Sequence, residues 1–186
     1  MTGLITPQYR AMNAQLHAER PTFGAGGHRW AQRVAQIIAR IGARSVVDYG
    51  CGKATLGPAV HRIWKDNNFA GDLPPIRLYD PAIEGLNILP GKSDLIVCTD
   101  VLEHIEPDCL PTVLDHLRQL TVKCLFAVIA TRPAKKTLPD GRNAHLIIQP
   151  PEWWVGWLKT DFYVQSQIID TEQGELIVEA VPREPF

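Results

Sequence analysis

Asp100, Glu103 and His104 fall within five residues, in TDVLEH, directly after the apolar run DLIVC. If the chain enters a helical turn there, positions i, i+3 and i+4 share one side. Two carboxylates and an imidazole in one cleft are costly unless something compensates them. A divalent cation would do so, and this ligand set suits Mg, Mn, Co or Zn. His145, in DGRNAHLI beyond the next apolar run, is a fourth candidate ligand. Without a metal the same groups would be hydrogen-bonding or acid–base residues, with His104 as general base beside Glu103.

A second constellation lies in SVVDYGCGKATL, residues 45–56. Asp48 is followed by Gly50, Cys51 and Gly52, and glycines at a strand end let the backbone turn tightly and approach a ligand. The spacing does not fit a dinucleotide-binding G-x-G-x-x-G, because Gly57 is out of register. Asp48 would face a phosphate poorly but suits an amino group. Asp80, in LYDP, ends the next apolar stretch, and its two oxygens suit a ribose diol. The plainer alternatives are an Asp48 that caps the following helix and an Asp80–Pro81 pair that simply turns the chain.

The elements that must carry these residues alternate. HRWAQRVAQIIARIG reads as an amphipathic helix with Trp30, Val34, Ile37, Ile38 and Ile41 on one face and Gly42 as its stop. SVVDY reads as a buried strand, then a helix runs from about Ala54 to Lys65. PIRLYD and SDLIVCTD are strands, PDCLPTVLDHLRQL is a helix, and KCLFAVIA is another strand. PPEWWVGWLK is a short helix with proline in its first turn. DFYVQSQIID and GELIVEAVP close the chain as a hairpin. Apolar strands alternating with helices predict a Rossmann-like, doubly wound α/β fold, mostly parallel, with a C-terminal antiparallel hairpin. Ligands of such sheets sit at the carboxyl ends of the strands.

The chain has 186 residues, 45% hydrophobic and 21% charged, which fits a single globular domain. A net charge of −1 does not favour nucleic acid as a general partner. Cys51, Cys98, Cys109 and Cys124 form no CxxC pair, which fits a reducing, cytoplasmic setting. MTGLITPQYR has no long apolar stretch, so neither a signal peptide nor a membrane anchor is expected.

Acid-x-Gly-x-Gly followed by an acid at the next strand end resembles the class I S-adenosylmethionine-dependent methyltransferases. DLIVCTDVLEHIEPD resembles the branch of that family with a D/E-x-x-E-H motif after its fourth strand. With a later histidine, here His145, the pattern is similar to small-RNA 3′-end 2′-O-methyltransferases; ubiquinone-pathway O-methyltransferases share its first part. The resemblance spans roughly Ser45 to Pro182. It implies S-adenosylmethionine bound by Asp48, Gly50, Cys51, Gly52, Asp80, Pro81 and Asp100. It also implies a divalent metal on Asp100, Glu103, His104 and His145 that binds the acceptor oxygens.

Residues 1–44 are then an N-terminal lid with Gly24, Gly26 and Gly27 as hinges and Tyr9, His17 and His28 as lining groups; residues 45–186 are the catalytic core. The expected reaction is methyl transfer to an oxygen of a small-molecule or nucleotide-like acceptor. An RNA or DNA methyltransferase acting at a strand end, and a non-catalytic S-adenosylmethionine-binding protein, remain alternatives. The oligomeric state is not indicated.

One region departs from the family pattern. Only thirteen residues, Pro81–Ser93, separate Asp80 from the strand starting near Asp94. A parallel crossover needs about a dozen residues by itself. The family's third strand should therefore be vestigial, around Asn87–Leu89, with Pro81, Ile83 and Leu86 left to form an adenine pocket. Trp153 and Trp157 are expected in the core, and Trp154 is a candidate to stack on a planar acceptor. Arg29, Arg33 and Arg40 on one helix, and Arg132, Lys135, Lys136 and Arg142 in one loop, read as solvated faces or as phosphate contacts.

Overall fold

A computed structural model describes residues 3–183. Six strands form one mixed sheet: β1 (Val46–Tyr49), β2 (Ile76–Tyr79), β3 (Ser93–Thr99), β4 (Thr121–Ala130), β5 (Phe162–Asp170) and β6 (Glu175–Pro182), in the order β2-β1-β3-β4-β6-β5. β1 to β4 are mutually parallel, and β6 runs antiparallel between β4 and β5. The expected α/β architecture and closing hairpin are present.

Side-chain alternation along the parallel strands feeds two cores. Val46, Leu95, Val97, Phe126 and Val128 pack against α2 (Ala31–Ile41) and α3 (Leu56–Asp66). Val47, Ile96, Cys98, Ala127 and Ile129 pack against α4 (Leu110–Leu120) and α5 (Pro151–Asp161). Both faces are covered, so the strands read as continuous apolar runs. All four cysteines are buried and free. Gly42 ends α2 in the left-handed conformation, φ 56°, as its position after the last apolar turn predicts.

Residues 80–92 form no strand. The vestigial strand expected at Asn87–Leu89 does not form, because the Asp80 N–H donates to the Leu86 carbonyl (2.9 Å) and closes a tight loop. Ile88 and Leu89 are left 77% and 61% exposed.

The expectation for Trp154 is corrected. Trp154 is fully buried, whereas Trp153 and Trp157 pack partly buried against the same core and line a groove with Pro107 and Ile148. In α5 position 154 faces the sheet beside Val155 and Leu158, which withdraws it from any acceptor. Arg29, Arg33 and Arg40 lie on a half-exposed face, as the solvated reading expects, with their guanidinium groups engaged by carboxylates of β6. Arg29 pairs with the buried Glu175 at 2.9 Å, and Arg33 and Arg40 both pair with the buried Glu179. Arg142 pairs with Asp140 at 2.7 Å.

The helix α1 (Pro7–Glu19) does not join either sheet core. Thr6 caps it, its hydroxyl accepting from the Tyr9 N–H, and Pro7 starts it. Its Tyr9 and Leu16 pack with Leu138 and Ala144 of the β4–α5 connection, over the carboxyl edge of the sheet.

Candidate active site

A cleft of about 430 Å³ opens at the carboxyl ends of β1, β2 and β3. That volume lies in the range of small-molecule sites. Its floor includes Gly50 and Gly52 after β1, Asp80, Pro81 and Ala82 after β2, and Asp100, Val101, His104 and Ile105 after β3. Its other wall comes from Tyr9, Asn13, His17 and Thr22–Gly26, and its far end from Arg132, Lys135, Lys136, Ala144 and His145.

The glycine loop is tightly packed. Gly50 and Gly52 have φ of 74° and 50°, and a Cβ on Gly52 would stand 2.4 Å from the Gly24 carbonyl oxygen. Asp80 is buried, and its two oxygens accept from Gly52 N–H (3.1 Å) and Ala82 N–H (3.0 Å). Each oxygen keeps a further lone pair. Asp48 and Cys51 are buried and do not line the cleft. Burial and the neighbouring Asp80 push the Asp48 carboxyl up to about 7, and burial chiefly pushes the Cys51 thiol up to about 12. Of the apolar trio expected for an adenine pocket, Pro81 lines the cleft and Ile83 and Leu86 do not.

The chain after β3 makes a short 3-10 turn, Leu102–His104, not an α-helix. Asp100 lies outside that turn, with φ 57°, and Val101 between them is not helical, so the i, i+3 alignment of Asp100 with Glu103 is lost. Its Oδ2 faces Gly26, 3.2 Å from where a Cβ would sit. Among the described residues the groups that come together are Glu103, His104 and His145, with ligand atoms all within 4.8 Å of one another. Asp100, expected in this cluster, stands apart from it in the cleft.

Both histidines are held in one tautomer. His104 Nδ1 lies 2.7 Å from the Ala144 carbonyl, and His145 Nδ1 lies 2.5 Å from the Arg132 carbonyl. A carbonyl only accepts, so each Nδ1 carries the proton and each Nε2 presents a lone pair. The rings meet edge to face, with centroids 4.8 Å apart. Burial, with His145 nearby, lowers His104 to about 4, and burial also lowers His145. Glu103 is fully buried; Oε1 accepts from the Ala130 N–H (3.0 Å), and Oε2 has no partner. Burial chiefly, with Asp100 adding to it, pushes its carboxyl up to about 8.

Several supporting groups carry no sequence signal by themselves. Asn143 Oδ1 accepts from the Ala134 and His145 N–H groups (both 2.9 Å), which folds the loop so that His145 faces His104. Tyr9, Oη donating to the His104 carbonyl at 2.7 Å, and Thr6, bonded twice to Glu106 at 2.8 Å, tie the N-terminal segment to the turn after β3. Tyr9 and His17 line the cleft as expected, whereas His28 is exposed, with Nδ1 2.9 Å from the Ala25 carbonyl.

No protein-family model and no curated protein matches this chain in sequence. Solved structures do resemble it. The mitomycin 7-O-methyltransferase MmcR superposes with a TM-score of 0.62 at 17% identity, over 91% of this chain and 60% of that one. The Burkholderia thailandensis 1,6-didemethyltoxoflavin-N1-methyltransferase, with bound 1,6-didemethyltoxoflavin and S-adenosylhomocysteine, gives 0.61 at 17% identity over 99% and 93%. The magnesium protoporphyrin IX methyltransferase ChlM of Synechocystis PCC 6803, with bound SAH, gives 0.53 at 19% identity over 84% and 83%. The chain thus spans 60% of MmcR and nearly all of the toxoflavin enzyme. At these identities the likeness is one of fold: the chain has the Rossmann-like sheet of these methyltransferases.

Proposed function

We propose that this chain transfers the methyl group of S-adenosylmethionine to a hydroxyl oxygen of a small acceptor. The observation that carries the oxygen assignment is the cluster at the far end of the cleft. His104 and His145 line that end and Glu103 is buried next to them, with one ligand atom of each within 4.8 Å of the others and Glu103 Oε2 unpartnered. This set fits a divalent cation: neutral imidazoles and a carboxylate are its ordinary ligands, and the unpartnered Glu103 Oε2 lacks any other compensation. Glu103, His104 and His145 would hold the ion; when bound it would lower the pKa of an acceptor hydroxyl and fix its position.

The chain's own residues do the rest by placement. Gly50 and Gly52 form cleft floor for the donor, Asp80 offers oxygens to its ribose, and Asp100 offers a carboxylate to its cationic portion. Asp48 and Cys51 support the glycine loop from behind. Aligning donor and acceptor can remove as much as ~7–11 kcal/mol of the barrier. His104 alone is a poor base, since a group held at about 4 has little affinity for a proton at neutral pH. Of the N-terminal 44 residues only 6–26 act as a lid, joined to the glycine loop and to the turn after β3, because α2 is part of a sheet core.

Arg132, Lys135 and Lys136 rim the acceptor end and favour an acceptor carrying negative charge. Incubation with S-adenosylmethionine and a panel of hydroxyl-bearing small molecules tests the reading. Release of S-adenosylhomocysteine that depends on the acceptor supports it and excludes a non-catalytic binding protein. Release only with RNA or DNA ends would replace the acceptor class.

A further inference from the structure

We propose that His17 recognises the nucleoside half of the methyl donor, completing from the N-terminal segment the wall that the absent strand between β2 and β3 leaves open. The inference rests on the donor reading above. The loop after β2 supplies only Asp80, Pro81 and Ala82 to the cleft, and its large apolar side chains Ile88 and Leu89 turn to solvent. The opposite wall here is His17, Thr22, Phe23 and Gly24.

That wall is fixed. The Lys53 N–H donates to the Gly24 carbonyl at 2.8 Å, and Lys53 Nζ donates to the His17 carbonyl at 2.5 Å. The His17 ring lies against Gly24 and edge-on to Phe23, with centroids 4.8 Å apart. Its Nδ1 is buried with no partner, and its Nε2 lies 3.9 Å from Asp80 Oδ2. That separation is too long for a hydrogen bond. His17 Nε2 thus stands beside Asp80 in the cleft wall, without a hydrogen-bond partner.

Polar atoms at such a site are normally satisfied, so the unpartnered Nε2 of a ring that lines the cleft points to a ligand group. The ligand must present hydroxyls or ring nitrogens to His17 and hydroxyls to Asp80, beside the aromatic edge of Phe23. A nucleoside has all of these. A phosphate is disfavoured, because Asp80 would repel it. The charged groups facing His17 are Asp80 and Lys53; burial outweighs Asp80 and lowers the imidazole below its ordinary value. A neutral ring keeps one nitrogen as donor and one as acceptor.

Titration calorimetry on the full chain with S-adenosylhomocysteine, then with 5′-methylthioadenosine, tests this. His17→Ala and His17→Phe should each weaken both ligands by the same factor, about tenfold, the size of one lost hydrogen bond. His17→Phe keeps a ring against Gly24, so it carries the test if the alanine variant fails to fold. Both variants binding S-adenosylhomocysteine as the unaltered chain does would overturn the proposal. So would a loss seen with S-adenosylhomocysteine and not with methylthioadenosine, which would place His17 at the amino-acid half. No binding of S-adenosylhomocysteine by the unaltered chain would instead overturn the donor reading itself, and this inference with it.

Discussion

His104 and His145 meet edge to face, and each gives its Nδ1 proton to a backbone carbonyl, of Ala144 and of Arg132. The pair therefore carries two unprotonated Nε2 atoms, in a cluster with Glu103, whose Oε2 is unpartnered. Substituting either ring for alanine should weaken Co²⁺ or Zn²⁺ binding by about tenfold or more, a loss at least as large as removing an outer-shell partner. S-adenosylhomocysteine affinity should be unchanged. Cobalt absorption spectra read the first and calorimetry the second. Wild-type spectra that show no bound cobalt would rule out the metal.

Glu103 titrates at about 8, so near pH 7 it is mostly protonated, while His104, held at about 4, is neutral. Metal uptake at pH 7 should then expel about one proton, from the carboxyl group. Calorimetric heats in buffers of different ionisation enthalpy measure that number. Glu103→Gln should bring it close to zero and weaken metal binding.

Asp48 should make the unliganded fold less stable as pH rises. Its folded-state value of about 7 lies above the ordinary carboxyl value, so the folded chain holds the proton where the unfolded chain has lost it. Stability from this group is present at low pH and declines between about pH 4 and pH 7. Asp48→Asn should flatten that part of a melting-temperature profile and raise the melting temperature at pH 8. A steeper decline in the variant would contradict the assignment.

Glu179 has two arginine partners, and Glu175 has Arg29 at 2.9 Å with Arg132 farther off at 3.9 Å. Arg33→Ala or Arg40→Ala alone should cost little, under about 1 kcal/mol, since these arginines are partly exposed and one partner remains. The double variant leaves a buried carboxylate unpaired and should cost about 3 kcal/mol, more than the sum. Denaturant midpoints decide this; additive losses would show that the pairs do not share their effect.

The fold was legible because its signals are local. The apolar runs around Val47, Ile96 and Phe126, and Gly42 after the last turn of its helix, each fit one element only. The site was legible in part. Gly50, Gly52 and Asp80 sit at strand ends, where topology alone puts them in the cleft. Asp100 was misjudged as a member of the Glu103 cluster because helical periodicity assumes that the turn includes it, and the chain leaves Asp100 outside the 3-10 turn at positive φ. Trp154 was misjudged because three tryptophans in five residues leave the buried face ambiguous. The pairing of Arg33 and Arg40 with Glu179 spans 146 and 139 positions, and no local pattern reveals it.

The central claim is that the cleft over Gly50, Gly52 and Asp80 holds S-adenosylmethionine. The most direct measurement is calorimetric titration of the chain with S-adenosylhomocysteine, beside a thermal melt. The account predicts one saturable site, a melting temperature that climbs with ligand concentration by mass action, and about a tenfold or greater loss of affinity in Asp80→Ala. No heat and no thermal shift at millimolar ligand would contradict it.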